Sequence, residues 1–130
     1  KKMKILGIGV DIIKNSRIKK SIKNTYFIKR VFGKDEVKFS NRKTNKTIYF
    51  AKRFAAKEAF VKCIGTGFRN DLNFKDIQIL NNKTGKPYYL ISKKIKNTVE
   101  KKFKIKNFDL FLSLSDENDY SVAFTILQKK

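Results

Sequence analysis

The spacing of apolar residues along this chain changes several times, and each change predicts an element. Leu6, Ile8, Val10 and Ile12 alternate as the buried face of a strand should. Gly7, Gly9 and Asp11 hold the opposite face. Two glycines weaken a strand and mark close approach of another backbone or of a ligand. A helix then starts at Asp11 or Asn15, with Ile18 and Ile22 inward and Lys14, Arg17, Lys20 and Lys23 outward. A short helix over 34–42 follows the break at Gly33. From 47 to 64, Ala, Lys and Glu mix with apolar residues three and four apart, which predicts a longer helix. Gly65-Thr66-Gly67 stops it. Residues 74–80 alternate as a strand, 81–87 form a turn, 88–91 a strand and 92–103 a helix. Segments 109–115 and 120–127 close as a hairpin around Asp116-Glu117-Asn118-Asp119. The mixture defines an α+β domain, an antiparallel sheet packed with helices.

The pattern leaves two carboxylates in costly places. On a helical wheel Ala51, Phe54, Ala55, Glu58, Val61 and Lys62 fall on one stripe, with Glu58 near its middle. A bare carboxylate facing a core needs a cation: a lysine, an arginine or a metal. Asp11 lies at the end of the first strand, beside two glycines. Two carboxylates with room between them suit a hard cation such as Mg²⁺, which takes oxygen ligands together with substrate phosphates. Plainer roles also exist. Glu58 and Lys62, four apart, can form a helical ion pair worth a few tenths of a kcal/mol. Asp11 can cap the helix that follows. Gly65-Thr66-Gly67 reads first as a helix C-cap, because a phosphate-cradling loop normally precedes a helix. Its glycines would still let a charged ligand approach the backbone near Lys62.

Composition narrows the functional classes. The chain has 130 residues, enough for one domain with a real core. Its 41% hydrophobic content argues against disorder. No apolar run approaches the ~20 residues of a membrane span. A single cysteine, Cys63, and no histidine exclude a zinc site or a Cys–His nucleophile. A net charge of +21 predicts attraction to acidic partners, nucleic acid first among them. However, only five of the 32 basic residues are arginines, the side chain suited to bidentate recognition of phosphates and bases. The lysines are spread along the whole chain, so the charge singles out no partner. A basic nucleic-acid-binding module is the alternative reading, and it leaves Asp11 and Glu58 without work. The start Lys1-Lys2-Met3 reads either as vector residues ahead of an initiator or as the remnant of a removed segment. A cytoplasmic location is expected in the first case, a plastid-like organelle in the second.

Taken in order, these segments resemble the holo-acyl-carrier-protein synthases, the small group of 4′-phosphopantetheinyl transferases. The resemblance rests on Gly7-Ile8-Gly9-Val10-Asp11-Ile12 and Arg53-Phe54-Ala55-Ala56-Lys57-Glu58-Ala59. It continues through Lys62, Gly65-Thr66-Gly67, Phe74 to Ile79, Gly85-Lys86-Pro87, Leu112-Ser113-Leu114-Ser115 and Tyr120-Ser121-Val122-Ala123. It covers essentially the whole chain, and implies one transferase domain over 1–130. It further implies transfer of phosphopantetheine from coenzyme A to a serine of apo-acyl carrier protein, for fatty acid synthesis. Asp11 and Glu58 would then hold Mg²⁺, with Glu58 and Lys62 catalytic. Lys62, Gly65, Thr66, Gly67 and Pro87 would meet coenzyme A. Arg17, with Lys20 and Lys23 nearby, would meet the acidic carrier. A homotrimer with sites at subunit boundaries is implied too, and the closing strands carry apolar residues on both faces. The base for the carrier serine stays open between Glu58 and a metal-bound water. Many family members carry a histidine after the Ser-x-Ser strand; here Asp116 stands there, and the histidine's nucleotide contact does not carry over.

Overall fold

The computed structural model describes residues 2–66 and 72–130. The chain runs β1 (Lys4–Lys14), α1 (Asn15–Ser21), α2 (Thr25–Val31), α3 (Lys34–Ser40) and α4 (Lys46–Ile64). A 3-10 turn over Phe74–Asp76 leads into β2 (Ile79–Asn81) and β3 (Pro87–Tyr89), followed by α5 (Lys93–Phe103), β4 (Phe108–Asp116) and β5 (Tyr120–Lys129). β1, β5 and β4 form an antiparallel sheet in that order, and β2 and β3 form a two-stranded ribbon. This is the expected α+β architecture, with the closing hairpin in place.

Local chemistry sets the element ends. Asn45 caps α4 by accepting from the Ile48 amide at 3.0 Å. Gly65, at φ 75°, ends it in the left-handed conformation, so the predicted stop holds. Ser92 caps α5 in the same way at 3.2 Å. The Glu117 carboxylate accepts from the Asp119 and Tyr120 amides, both at 2.7 Å, and so shapes the hairpin turn.

Three expectations are corrected. The face of β1 that alternates apolar residues does not enter the core of the chain: Ile8, Val10 and Ile12 are 59%, 52% and 62% exposed. The glycine face is the packed one, because α4 lies directly on it. A Cβ at Gly7 would stand 2.1 Å from the Cys63 carbonyl oxygen, and one at Gly9 only 2.0 Å from that of Ala59. The glycines therefore admit another backbone, and the helix presents Ala51, Ala55 and Ala59, all fully buried, to keep the approach close. Second, residues 25–31 form a helix that the periodicity did not reveal; Asn24 starts it by accepting from the Tyr26 amide. Third, the strand expected over 74–80 begins as a 3-10 turn, and pairing with β3 starts only at Ile79.

Charge is also buried where none was expected. Lys57 and Glu36 are wholly enclosed and 2.8 Å apart. Lys57 further donates to the carbonyls of Phe74 and Ile77, while Glu36 accepts from the amides of Gly33 and Ile79. Tyr49, whose hydroxyl burial pushes up to about 12, stays protonated and donates to the Glu36 carbonyl. The network ties α3, α4 and the 74–79 segment together.

The tightest contact yields a direct test. Gly9→Ala is expected to destabilise the fold by about 1–3 kcal/mol, the usual range for forcing a methyl group into a packed site. Urea unfolding measures it, and an unchanged midpoint would mean that β1 and α4 do not meet as described.

Candidate active site

The β1–α4 contact carries Glu58 and Lys62 to Asp11. Asp11 sits on β1 opposite Ala123 of β5, on the strand face that α4 covers. Lys62 donates to Asp11 Oδ1 at 3.0 Å and to the Val10 carbonyl at 3.1 Å. The carboxylate of this pair is well covered and the lysine is open to solvent. The strand thus orients Lys62 from two atoms, and Asp11 is not a helix cap: α1 starts at Asn15. Nor is Glu58 paired with Lys62 as a simple helical bridge, since Lys62 reaches it only through space.

Glu58 is half-buried and not central to a core-facing stripe, which corrects the wheel. Phe54, Glu58 and Lys62 form the least covered line of α4, and most of the rest of the helix is buried. Burial, and then the charge of Asp11, push the Glu58 carboxyl above its ordinary value; Lys62 and Arg17 oppose the shift. Hence Asp11, Glu58, Lys62 and Arg17 share one electrostatic cluster. Two carboxylates in a partly covered place, with Asp11 disfavouring the charge of Glu58, fit a hard divalent cation. Among the described residues no third acid, cysteine or histidine joins them. That suits Mg²⁺, which is commonly held by one or two carboxylates with the remaining positions taken by water and substrate phosphates.

The other sequence-predicted residues distribute as follows. Gly65 and Thr66 leave α4 within a turn of Lys62, and Gly67 lies outside the described residues. Arg17 and Lys20 are exposed on α1, and Lys23 is exposed just beyond it. Ile18 is buried beneath them, as expected. Pro87 does not join Lys62. It lines a groove of about 490 Å³ on the β4 side, together with Lys43, Lys52, Arg53, Asn81 and Asp116. Since β5 separates β1 from β4, this groove and the carboxylates occupy opposite edges of the sheet. Lys52 and Lys62 are also ten residues apart, roughly 15 Å along the helix.

The groove holds functional candidates that the sequence reading missed. Arg53 is 3% exposed, with its guanidinium 4.0 Å above the Tyr49 ring and bonded to Asn81. Its Nε has no partner, an uncommon state for a buried donor. Asp116 is paired with Lys52 at 2.9 Å, so the carboxylate that replaces the family histidine is neutralised within the chain. The signal available in the sequence was the adjacent pair of bases Lys52 and Arg53 in the middle of the long helix.

Comparison with known proteins agrees with this architecture. Residues 7–125 match the model of the 4′-phosphopantetheinyl transferase superfamily. A holo-[acyl-carrier-protein] synthase of Pelagibacter ubique is 61% identical over 128 residues, covering 98% of this chain and 100% of the relative. One from Ehrlichia chaffeensis is 45% identical, over 95% and 96% of the two chains. Among solved structures, the Neisseria meningitidis synthase superposes with TM-score 0.83 at 35% identity, covering 95% of this chain and 98% of that one. A Bacillus anthracis synthase, solved in complex with CoA (3′,5′-ADP), gives TM-score 0.80 at 31% identity over 99% and 100%. The chain belongs to the 4′-phosphopantetheinyl transferase superfamily, in its holo-acyl-carrier-protein synthase class, as the motifs implied.

Proposed function

We propose that this enzyme moves the 4′-phosphopantetheine group from coenzyme A to a serine of apo-acyl carrier protein, with Mg²⁺, in the service of fatty acid synthesis in the cytoplasm. The observation that carries the reading is the cluster of Asp11, Glu58, Lys62 and Arg17 at the β1–α4 junction. In the reaction the serine hydroxyl gives its proton to a base at the site, and its oxygen bonds to the phosphorus that bears pantetheine. The bond from that phosphorus to the bridging oxygen breaks, and adenosine 3′,5′-bisphosphate leaves with the electron pair. Mg²⁺, held by Asp11 and Glu58, would supply charge neutralisation at the pyrophosphate. Lys62, fixed by Asp11 and the Val10 carbonyl, presents its ammonium to the same phosphates. With little covalent work for the protein, positioning and electrostatics dominate. Gly65 and Thr66 offer close backbone approach near Lys62. The groove with Lys43, Lys52, Arg53 and Pro87 offers a second place for anionic parts of the nucleotide.

Incubation with coenzyme A, Mg²⁺ and apo-carrier, followed by mass measurement of the carrier, tests the proposal. A gain of the phosphopantetheine mass is expected. Asp11→Ala and Glu58→Ala should each remove most of the transfer while leaving the circular dichroism spectrum unchanged. Near-normal turnover in either variant sinks the assignment.

The carrier is expected on α1. Arg17 lies in the field of Glu58, so an acidic partner bound there would sit beside the reacting centre. Arg17→Glu should raise KM for the carrier about tenfold, equivalent to ~1.4 kcal/mol, with KM for coenzyme A little changed. Added salt should slow carrier association by screening. An unmoved KM for the carrier would show docking elsewhere.

The site is proposed to be completed between copies in a homotrimer. The expected coenzyme A residues lie on opposite edges of one chain's sheet, so that a second copy could complete either edge. The open sheet face, with Ile8, Val10, Ile12, Phe111 and Phe124, supplies an apolar surface for the contact. That surface would have to outweigh the self-repulsion of +21 per chain. Sedimentation at moderate salt should give about three times the 15.2 kDa chain mass, and a fully active monomer would contradict the shared site.

A further inference from the structure

The Lys57–Glu36 pair has no part in the chemistry above, yet it is the most deeply enclosed charge in the described structure. Both side chains are 0% exposed. Stability alone does not explain such a pair, because replacing a buried ion pair with well-packed apolar residues is often neutral or stabilising. What the pair does is hold backbone. The Lys57 ammonium takes the carbonyls of Phe74 (3.0 Å) and Ile77, and Glu36 takes the amides of Gly33 (2.9 Å) and Ile79 (3.1 Å). These atoms fix the segment from Phe74 to Ile79 against α3 and α4.

That segment borders the site. The Phe74 ring stacks on Phe54, with centroids 5.4 Å apart and planes 20° from parallel. Phe54 precedes Glu58 by one turn on the same line of α4, and Glu58 precedes Lys62 by another. The chain leaves α4 at Gly65 beside Lys62 and is described again from Leu72, two residues before Phe74. Lys57 therefore holds the return arm of this connection by its backbone, while Phe54 holds it by its ring.

We propose that the Lys57–Glu36 pair is a positioning device for coenzyme A: it sets the Phe74 arm beside the Phe54–Glu58–Lys62 line, so that the wall next to the phosphate-binding residues is in place before the ligand arrives. The role is preorganisation, which acts on the affinity of the ligand that touches the wall. It rests on the transferase reading of the neighbouring site. Lys57 is a positioning residue here and not a catalytic one.

Two variants separate positioning from simple stability. Glu36→Gln removes the carboxylate but leaves the lysine nitrogen with hydrogens for Phe74 and Ile77; this protein should melt well below wild type yet keep the arm. Lys57→Met with Glu36→Gln removes both charges, recovers melting temperature relative to Glu36→Gln alone, and releases the arm. Calorimetric titration with coenzyme A in the presence of Mg²⁺ should show a Kd within threefold of wild type for Glu36→Gln. For the double variant the Kd should be at least tenfold weaker. KM for coenzyme A should follow the Kd, with kcat within threefold and KM for the carrier unchanged. Phe54→Leu, which loosens the ring contact and leaves the pair intact, should weaken the Kd at least threefold. Wild-type affinity in the double variant or in Phe54→Leu overturns the proposal. So does a Kd that tracks melting temperature across the three proteins. A wild-type protein that binds coenzyme A but modifies no carrier overturns the transferase reading alone, since the affinity ratios still decide the positioning claim.

Discussion

Everything at this site depends on a helix lying against bare strand backbone. Gly7 and Gly9 remove the side chains that would otherwise hold α4 away, and Ala51, Ala55 and Ala59 remove them from the helix. The approach is close enough that a single added methyl group at either glycine would overlap a helix carbonyl. Because α4 lies so near β1, the next residue on the same strand face, Asp11, comes within reach of Lys62 and within the field of Glu58. A longer distance would leave two separate surface charges, each solvated and neither useful. The contact is thus a packing feature with an electrostatic consequence.

The charges along α4 divide into three groups with different work. Lys57 is enclosed and holds backbone through its partner Glu36. Lys52 and Arg53 face the groove on the β4 side, where Asp116 takes one of them and Arg53 retains an unpartnered donor. Glu58 and Lys62 face the β1 side, where burial makes the carboxylate a poor place for charge without a cation. The helix is consequently buried on most sides and still polar in places, which a bulk measure of hydrophobicity would misread as ordinary solvent exposure.

Much of this was legible in the residues. The closing hairpin, α5 and the stop of α4 at Gly65 follow from periodicity, caps and turn chemistry, all of which act over a few neighbouring residues. The pairing of Asp11 with the α4 site was anticipated from the cost of two stranded carboxylates and from the motifs. The buried face of β1 was assigned the wrong way round, because alternation says which residues share a face and not which face the helix covers; the two glycines decide that. The α2 helix was missed because, unlike α3, no glycine break announces it, and its start signal is a single Asn24 cap. The Lys57–Glu36 pair was not foreseen because the two residues lie 21 positions apart and no local pattern links them. Lys52 escaped for the same reason, its partner Asp116 lying in the last hairpin.

The central claim is that Asp11 and Glu58, brought together by the β1–α4 contact, hold one divalent cation between them. Titration with Mn²⁺ as a paramagnetic stand-in for Mg²⁺, in the presence of coenzyme A, tests it most directly by electron paramagnetic resonance. The account predicts one bound ion per chain in the wild-type protein and its loss in Asp11→Asn and in Glu58→Gln alike. Two variants that still bind Mn²⁺ with wild-type affinity and stoichiometry would contradict it.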